Sequence, residues 1–331
     1  MTMRKQKPTI TRKMHLYLAL FLLISLPVFF ILIKIKNEIN LSGWDGQGSI
    51  NIVWITKPLI LSSYDPNSHK ITLFIFPENL YADVAGDKGR YKLENIWKLG
   101  LLENRRNNLF LRTAENLMGI PINGFVMLNN SQIQISDQIN KEKILEFRNQ
   151  NDGPNILLDI MASFFGSDKT RIKSNLSSFN LLSFWQQMKK IKSQDISIIN
   201  LGEFQITHKF SLPDKSQGLL FDSKTLDNLT SGYLSDKKIS DENLSIEIKN
   251  AAGIQGLGNE LSRYINNLGA QVVRIENDSE KNQSLCLVIS NQQKSYTLAV
   301  IKKITECQIQ VKESKETDIT VVLGKNVSNR F

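Results

Sequence analysis

The chain has 331 residues, a formal net charge of +9, two cysteines and three histidines. Seven Lys and Arg residues and no acid fall within the first 36 positions, so the remaining chain carries only +2. That charge reads as an orientation signal at a membrane, so no nucleic-acid partner is expected; two cysteines make no disulfide framework, and no Cys/His spacing suggests zinc.

Residues 14–33, MHLYLALFLLISLPVFFILI, run from Met14 to Ile33 without a charge. At ~1.5 Å per residue such a run reaches roughly 30 Å, the thickness of a bilayer hydrocarbon core. Arg4, Lys5, Lys7, Arg12 and Lys13 precede it and belong on the cytoplasmic side. The expected organisation is a cytoplasmic tail (1–13), a transmembrane signal anchor (14–34) and a juxtamembrane linker (35–48), with the bulk of this single-pass protein extracytoplasmic. The lipid bilayer is therefore the first expected partner. A cleaved signal peptide is the competing reading, but the run exceeds a usual h-region and no A-x-A site follows it. Trp44 falls in the linker, where headgroup anchoring and simple exposure are both open.

Residues 49–205 mix strand and helix signals. SINIVWI (49–55), PLILSSY (58–64) and KITLFIF (70–76) are strand candidates, and the Asp65-Pro66-Asn67-Ser68 turn makes the last two a hairpin. Helices are expected over 91–101, 108–118 (stopped by Gly119 and Pro121), 156–165 and 179–190, with strands at 124–128 and 196–201. Residues 129–153 are polar and poorly periodic, and 206–242 reads as an interdomain linker. Residues 243–327 give a cleaner order, β-α-β-β-α-β-β, a small α/β sandwich. The fold class is thus α/β (α+β): a two-domain ectodomain behind a single N-terminal transmembrane helix. Cys286 and Cys307 fall in apolar or alternating segments, leaving one disulfide and two buried thiols both open.

Both domains resemble known families. IEIKNAAGIQGLGNELSRYINNLGAQVVRIEN, followed by DITVVLG, is similar to the LytR C-terminal domain family; Asn250, Gly253, Gly256, Leu257 and Gly258 occupy its signature positions. LILSSYDPNSHKITLFIFPENLY, YKLENIWKLG and LRTAENLMGIPINGFVML resemble, in order, the LytR-CpsA-Psr family. That resemblance implies a single-span envelope protein that moves glycopolymers from a polyprenyl-pyrophosphate lipid to the cell wall with bound Mg²⁺. Two departures bear on it. The family has P-R-D-T/S after its second hairpin strand, where this chain has Pro77-Glu78-Asn79-Leu80. The family's Asp- and Arg-bearing loop between its first two strands is replaced here by Thr56-Lys57. Phosphoryl transfer depends on cations neutralising developing charge, so no catalytic residue and no cofactor is expected.

The expectation is a non-catalytic binding or scaffold module of the envelope, a pseudoenzyme whose partners are a cell-wall glycopolymer or a polyprenyl-phosphate lipid. The alternative is a divergent transferase, using Mg²⁺, with Lys57, Lys88, Arg90 or Lys92 as substitute cations. For those lysines and that arginine an ordinary solvated face is the competing reading. The 250–258 loop places three glycines between strand and helix. Phosphate cradling and simple tight packing are its two readings, but no Walker lysine follows. A transcriptional role finds no support, since a 13-residue tail leaves no room for a DNA-binding domain.

Overall fold

The computed structural model describes residues 10–41, 44, 46–86, 89–102, 108–128, 139–150, 154–164, 171–212, 214–278, 283–291, 294–312 and 316–327. It opens with a long helix, α1 (Ile10–Leu41), which runs through Pro27 and past the expected end of the apolar segment. Among the described residues no helix is long and apolar enough to cross a membrane. Several side chains within 14–33 lie outside that described set.

The expected linker 35–48 is helical to Leu41, and Trp44 is buried. Its indole Nε1 donates to Gly48 O and its ring meets Tyr64 edge-on at 6.5 Å. Neither exposure nor headgroup anchoring describes it: apolar strand residues close by offer a better cover for the ring.

The first domain is built on β1 (Ile50–Trp54), β2 (Ile60–Asp65) and β3 (Lys70–Ile75), an antiparallel meander. The hairpin turn forms as its residues dictate: the Asp65 carboxylate accepts from the backbone N–H groups of Asn67 and Ser68 at 2.9 and 3.2 Å. A two-stranded ribbon follows, β4 (Tyr81–Asp83) with β5 (Arg90–Lys92). Then come α2 (Leu93–Leu102), α3 (Asn108–Met118), β6 (Gly124–Leu128), α4 (Lys141–Gln150), α5 (Pro154–Phe164), β7 (Ile172–Ser174), α6 (Ser178–Met188) and β8 (Ile196–Asn200). Helix α2 starts at Leu93, two residues later than expected, because Tyr91 and Lys92 pair with β4. Helix α4 lies in the segment read as aperiodic.

The sheet order is β7-β6-β1-β2-β3-β8. Strands β6, β1, β3 and β8 share one direction; β2 and β7 oppose it. Period-two alternation sends Ile50 and Ile52, with Ile71 and Leu73, to a core shared with α5 and α6. Val53, Leu61 and Phe74 go to the other face, beneath α2 and α3.

The expected linker 206–242 is folded. It contains β9 (Thr207–Ser211), β10 (Gln217–Phe221), α7 (Ser223–Leu234) and α8 (Lys237–Glu242). Asp222 and Asp236 cap the two helices through bonds to the N–H groups of Thr225 and Lys238. Ile206, Phe221, Leu226 and Leu234 join the first domain's core, whereas Ile239 joins the second's. Polar composition misled here because these apolar anchors stand singly on surface elements.

The second domain has β11 (Ser245–Asn250), α9 (Leu257–Asn267), β12 (Gln271–Asn277), β13 (Leu287–Ser290), α10 (Tyr296–Thr305), β14 (Gln308–Val311) and β15 (Ile319–Leu323). The element order is the one expected, and the sheet order is β12-β11-β15-β13-β14. Cys286 and Cys307 form a disulfide with Cα atoms 4.8 Å apart, and both are buried.

The domains meet along α9. Arg263 donates to Asn116 O at 2.6 Å and Leu117 O at 3.0 Å, the unpaired carbonyls at the end of α3. It also forms a two-point ion pair with Asp227 of α7, at 2.6 and 2.8 Å. Asn267 donates to Gly119 O, and Tyr264 to the Asn116 side chain.

Candidate functional site

Because β6, β1, β3 and β8 run the same way, their carboxyl ends share one edge of the sheet, the edge at which open α/β folds hold ligands. Exposed Lys57 follows β1 there, and exposed Glu78 and Asn79 follow β3. Lys57 makes no ion pair among the described residues.

Two of the other expected cations are paired with carboxylates. Arg90 forms a two-point pair with Asp83 across the β4–β5 ribbon, at 2.8 and 3.0 Å, and lies over the Phe210 ring at 5.3 Å. The Asp83 hydrogen bonds, then its charge, hold the Arg90 guanidinium above its ordinary value. Lys92 pairs with Glu94 at 2.8 Å. Lys88 lies outside the described residues. Among the described residues, Arg90 and Lys92 are thus each neutralised by a neighbouring carboxylate.

For a metal, the donor set is no better assembled. Among the described residues no group of three or more His, Cys, Asp or Glu side chains is placed to hold an ion. Asp83 is spent on Arg90, and Glu78 stands exposed. The described residues therefore assemble no Mg²⁺ donor set.

An apolar cavity of about 390 Å³ lies between the sheet and helices α4 and α6. Its floor is Trp54, Ile60, Leu73 and Ile196; its walls include Phe184, Trp185 and Met188 of α6. The roof is α4, where Ile144 and Phe147 face inward at helical spacing. No side chain of α4 is fully buried, so this helix covers the space without filling it. Arg148 ties α4 down by donating to Ile191 O. Trp54 is fixed by its indole bond to Ser62 Oγ at 2.8 Å, whereas the buried Trp185 Nε1 has no hydrogen-bond partner. The volume falls in the range of small-molecule sites. At the far end of the same face Tyr64 is buried, and burial first, then the Asp65 charge, raises its phenol.

In the second domain the motif residues have backbone and packing roles. Asn250 closes its own turn, accepting from Ala252 N–H at 3.2 Å and donating to Ile254 O at 2.7 Å. Gly253 and Gly256 have φ of 72° and 86°, where a side chain is strained. A Cβ at Gly258 would meet Ile275 Cγ2 at 3.0 Å, so glycine lets α9 lie close on β12. Leu257 is buried in the domain core.

Residues 243–326 match the LytR_C family, described as LytR cell envelope-related transcriptional attenuator. The chain carries a LytR C-terminal domain. Over a larger part of its length it is similar to several solved structures. TagV of B. subtilis is 14% identical, with 57% of this chain and 96% of that one covered and a TM-score of 0.38. A transcriptional regulator from Enterococcus faecalis is 12% identical, covering 56% and 86%, with a TM-score of 0.40. TagT bound to LIIa-WTA is 12% identical, covering 58% and 92%, with a TM-score of 0.39. No curated protein matches the chain in sequence.

Sequence reasoning placed the LytR C-terminal domain but missed the cavity. Its only trace is the Ile144/Phe147 spacing, which a polar segment conceals.

Proposed function

We propose that this chain is a membrane-anchored, extracytoplasmic cell-envelope protein whose first domain binds the tail of a polyprenyl-phosphate lipid without catalysing transfer. The observation that carries this reading is the apolar cavity beside a strand edge on which no cation cluster is assembled among the described residues. An isoprenoid tail needs only apolar walls, whereas phosphoryl chemistry needs concentrated positive charge or metal. The anchor is supported by α1, where six successive residues, Val28 to Ile33, are 40–61% exposed. Six positions at 3.6 residues per turn cover every side of a helix, so only lipid would shield them all. A disulfide suits an oxidising compartment outside the cytoplasm. The bound glycopolymer of a lipid-linked carrier would then lie at the carboxyl edge of the sheet.

The test uses the full chain in detergent micelles, titrated with a polyprenyl pyrophosphate with and without Mg²⁺, and followed by the fluorescence of Trp54 and Trp185. Saturable binding independent of Mg²⁺, lost in Leu73→Trp and retained in Lys57→Ala, is expected. Binding that requires Mg²⁺ and vanishes in Lys57→Ala or Arg90→Ala would instead favour the divergent transferase. Absence of saturable binding would remove the cavity as a lipid site.

A further inference from the structure

Helix α5 carries apolar residues on the side it buries and on the side it exposes. Ile156 and Ile160 point into the core. Leu157, Leu158 and Met161 are 39%, 60% and 56% exposed. At ~100° per residue these three share an arc of about 100°, so they form one patch. Exposed apolar residues elsewhere, such as Val273 and Val311, sit on separate strands of the second domain and need no explanation.

The patch continues toward α1. Phe164, at the end of α5, meets Phe179 of α6 edge-on at 6.5 Å, and Phe179 is itself 36% exposed. Lys34 lies over the Phe164 ring at 5.1 Å. Lys34 is the first charged residue after the uncharged run of α1. Four residues on, Glu38 accepts from Ser178 N–H at 2.9 Å, at the start of α6. These contacts fix the first domain to the point where α1 would leave the lipid. Phe164 then stands at the depth of Lys34, in the headgroup zone, and Leu157 lies roughly 10 Å away along α5.

The charges around the patch suit an anionic surface. Lys34 lies at one end of it, over Phe164, and Arg171 stands beside α5. Asp159 of α5 is held by Arg171 at 2.7 Å.

We infer that the outer face of α5, with Phe179, is a second membrane contact that rests in the outer interface of the bilayer holding α1. The contact rests on the anchor reading above and adds a consequence to it. It fixes how the first domain sits on the bilayer, where a tether alone would leave the domain free to turn. Apolar side chains at headgroup depth with cations at the rim are the pattern of an interfacial helix.

Site-directed spin labelling of the full chain in vesicles containing anionic lipid tests this. Labels are placed singly at Leu158→Cys, Met161→Cys, Leu20→Cys and Gln310→Cys, without reductant so that Cys286–Cys307 stays paired. Collision with lipid-soluble oxygen is compared with collision with a water-soluble nickel chelate. The expected result is an oxygen-to-chelate ratio at 158 and 161 several-fold above that at 310 and close to that at 20. Lipid exposure at 20 with water exposure at 158 and 161 would overturn the second contact and leave the anchor standing. Water exposure at 20 would overturn the anchor, and the contact with it.

Discussion

Asp318 illustrates how single side chains hold the second domain together. Its carboxylate accepts from the hydroxyl and backbone N–H of Ser245, at 2.7 and 2.8 Å, joining the starts of β15 and β11. The Ser245 bonds, side chain first and then backbone, hold the Asp318 carboxyl below its ordinary 3.8. A carboxyl lowered in the folded state stabilises fully above its unfolded value, and that contribution fades as pH falls through the folded one. Asp318→Asn should therefore flatten the acid limb of the stability curve below about pH 4, read as the urea midpoint against pH. An unchanged limb would mean the Ser245 bonds do not favour the ionised form. At this scale the motif residues Asn250, Gly253 and Gly256 could be read directly, because their roles depend on local backbone geometry. Arg90 and Lys92 could be seen as cations, but not that Asp83 and Glu94 hold them, since those pairings depend on how the ribbon folds.

Among the elements, the regular strands and helices followed their periodicity closely. Helix α3 and strand β6 fall at the expected residues. Two failures, α4 and the stretch from β9 to α8, share one cause. Both are surface elements whose apolar residues are few, so composition outweighs spacing. The disulfide joins the start of β13 to the turn after α10, closing a separation of 21 residues. In the chain-entropy account a loop of that size stabilises by about 3 kcal/mol. Cys286→Ala with Cys307→Ala should lower the second domain's stability by roughly that amount, measured by urea unfolding. A loss well under 1 kcal/mol would show that packing, not the crosslink, holds this region.

Across the whole molecule, Arg263 is the main tie between the domains. Its side chain and that of Asp227 are 21% and 18% exposed, so solvent screens the pair only partly. Arg263→Met removes that pair and also the donors to the last carbonyls of α3. The expected loss is about 2 kcal/mol, with unfolding split into two transitions as the domains uncouple. A single undisturbed transition by circular dichroism and tryptophan fluorescence would show that the apolar contacts suffice.

By itself the sequence determined the LytR C-terminal domain, the strand–helix order of the second domain, and the uncharged segment of α1. Each of these is written in runs of neighbouring residues: a period, a turn, a spacing of glycines. Only the tertiary structure decided that 206–242 is folded, that Arg90 and Lys92 are already paired, that the cysteines are joined, and that a cavity lies under α4. Those outcomes depend on residues far apart in the chain meeting across a sheet or a domain boundary. No local pattern records which partner a charge will find, or whether a helix will fill the space beneath it.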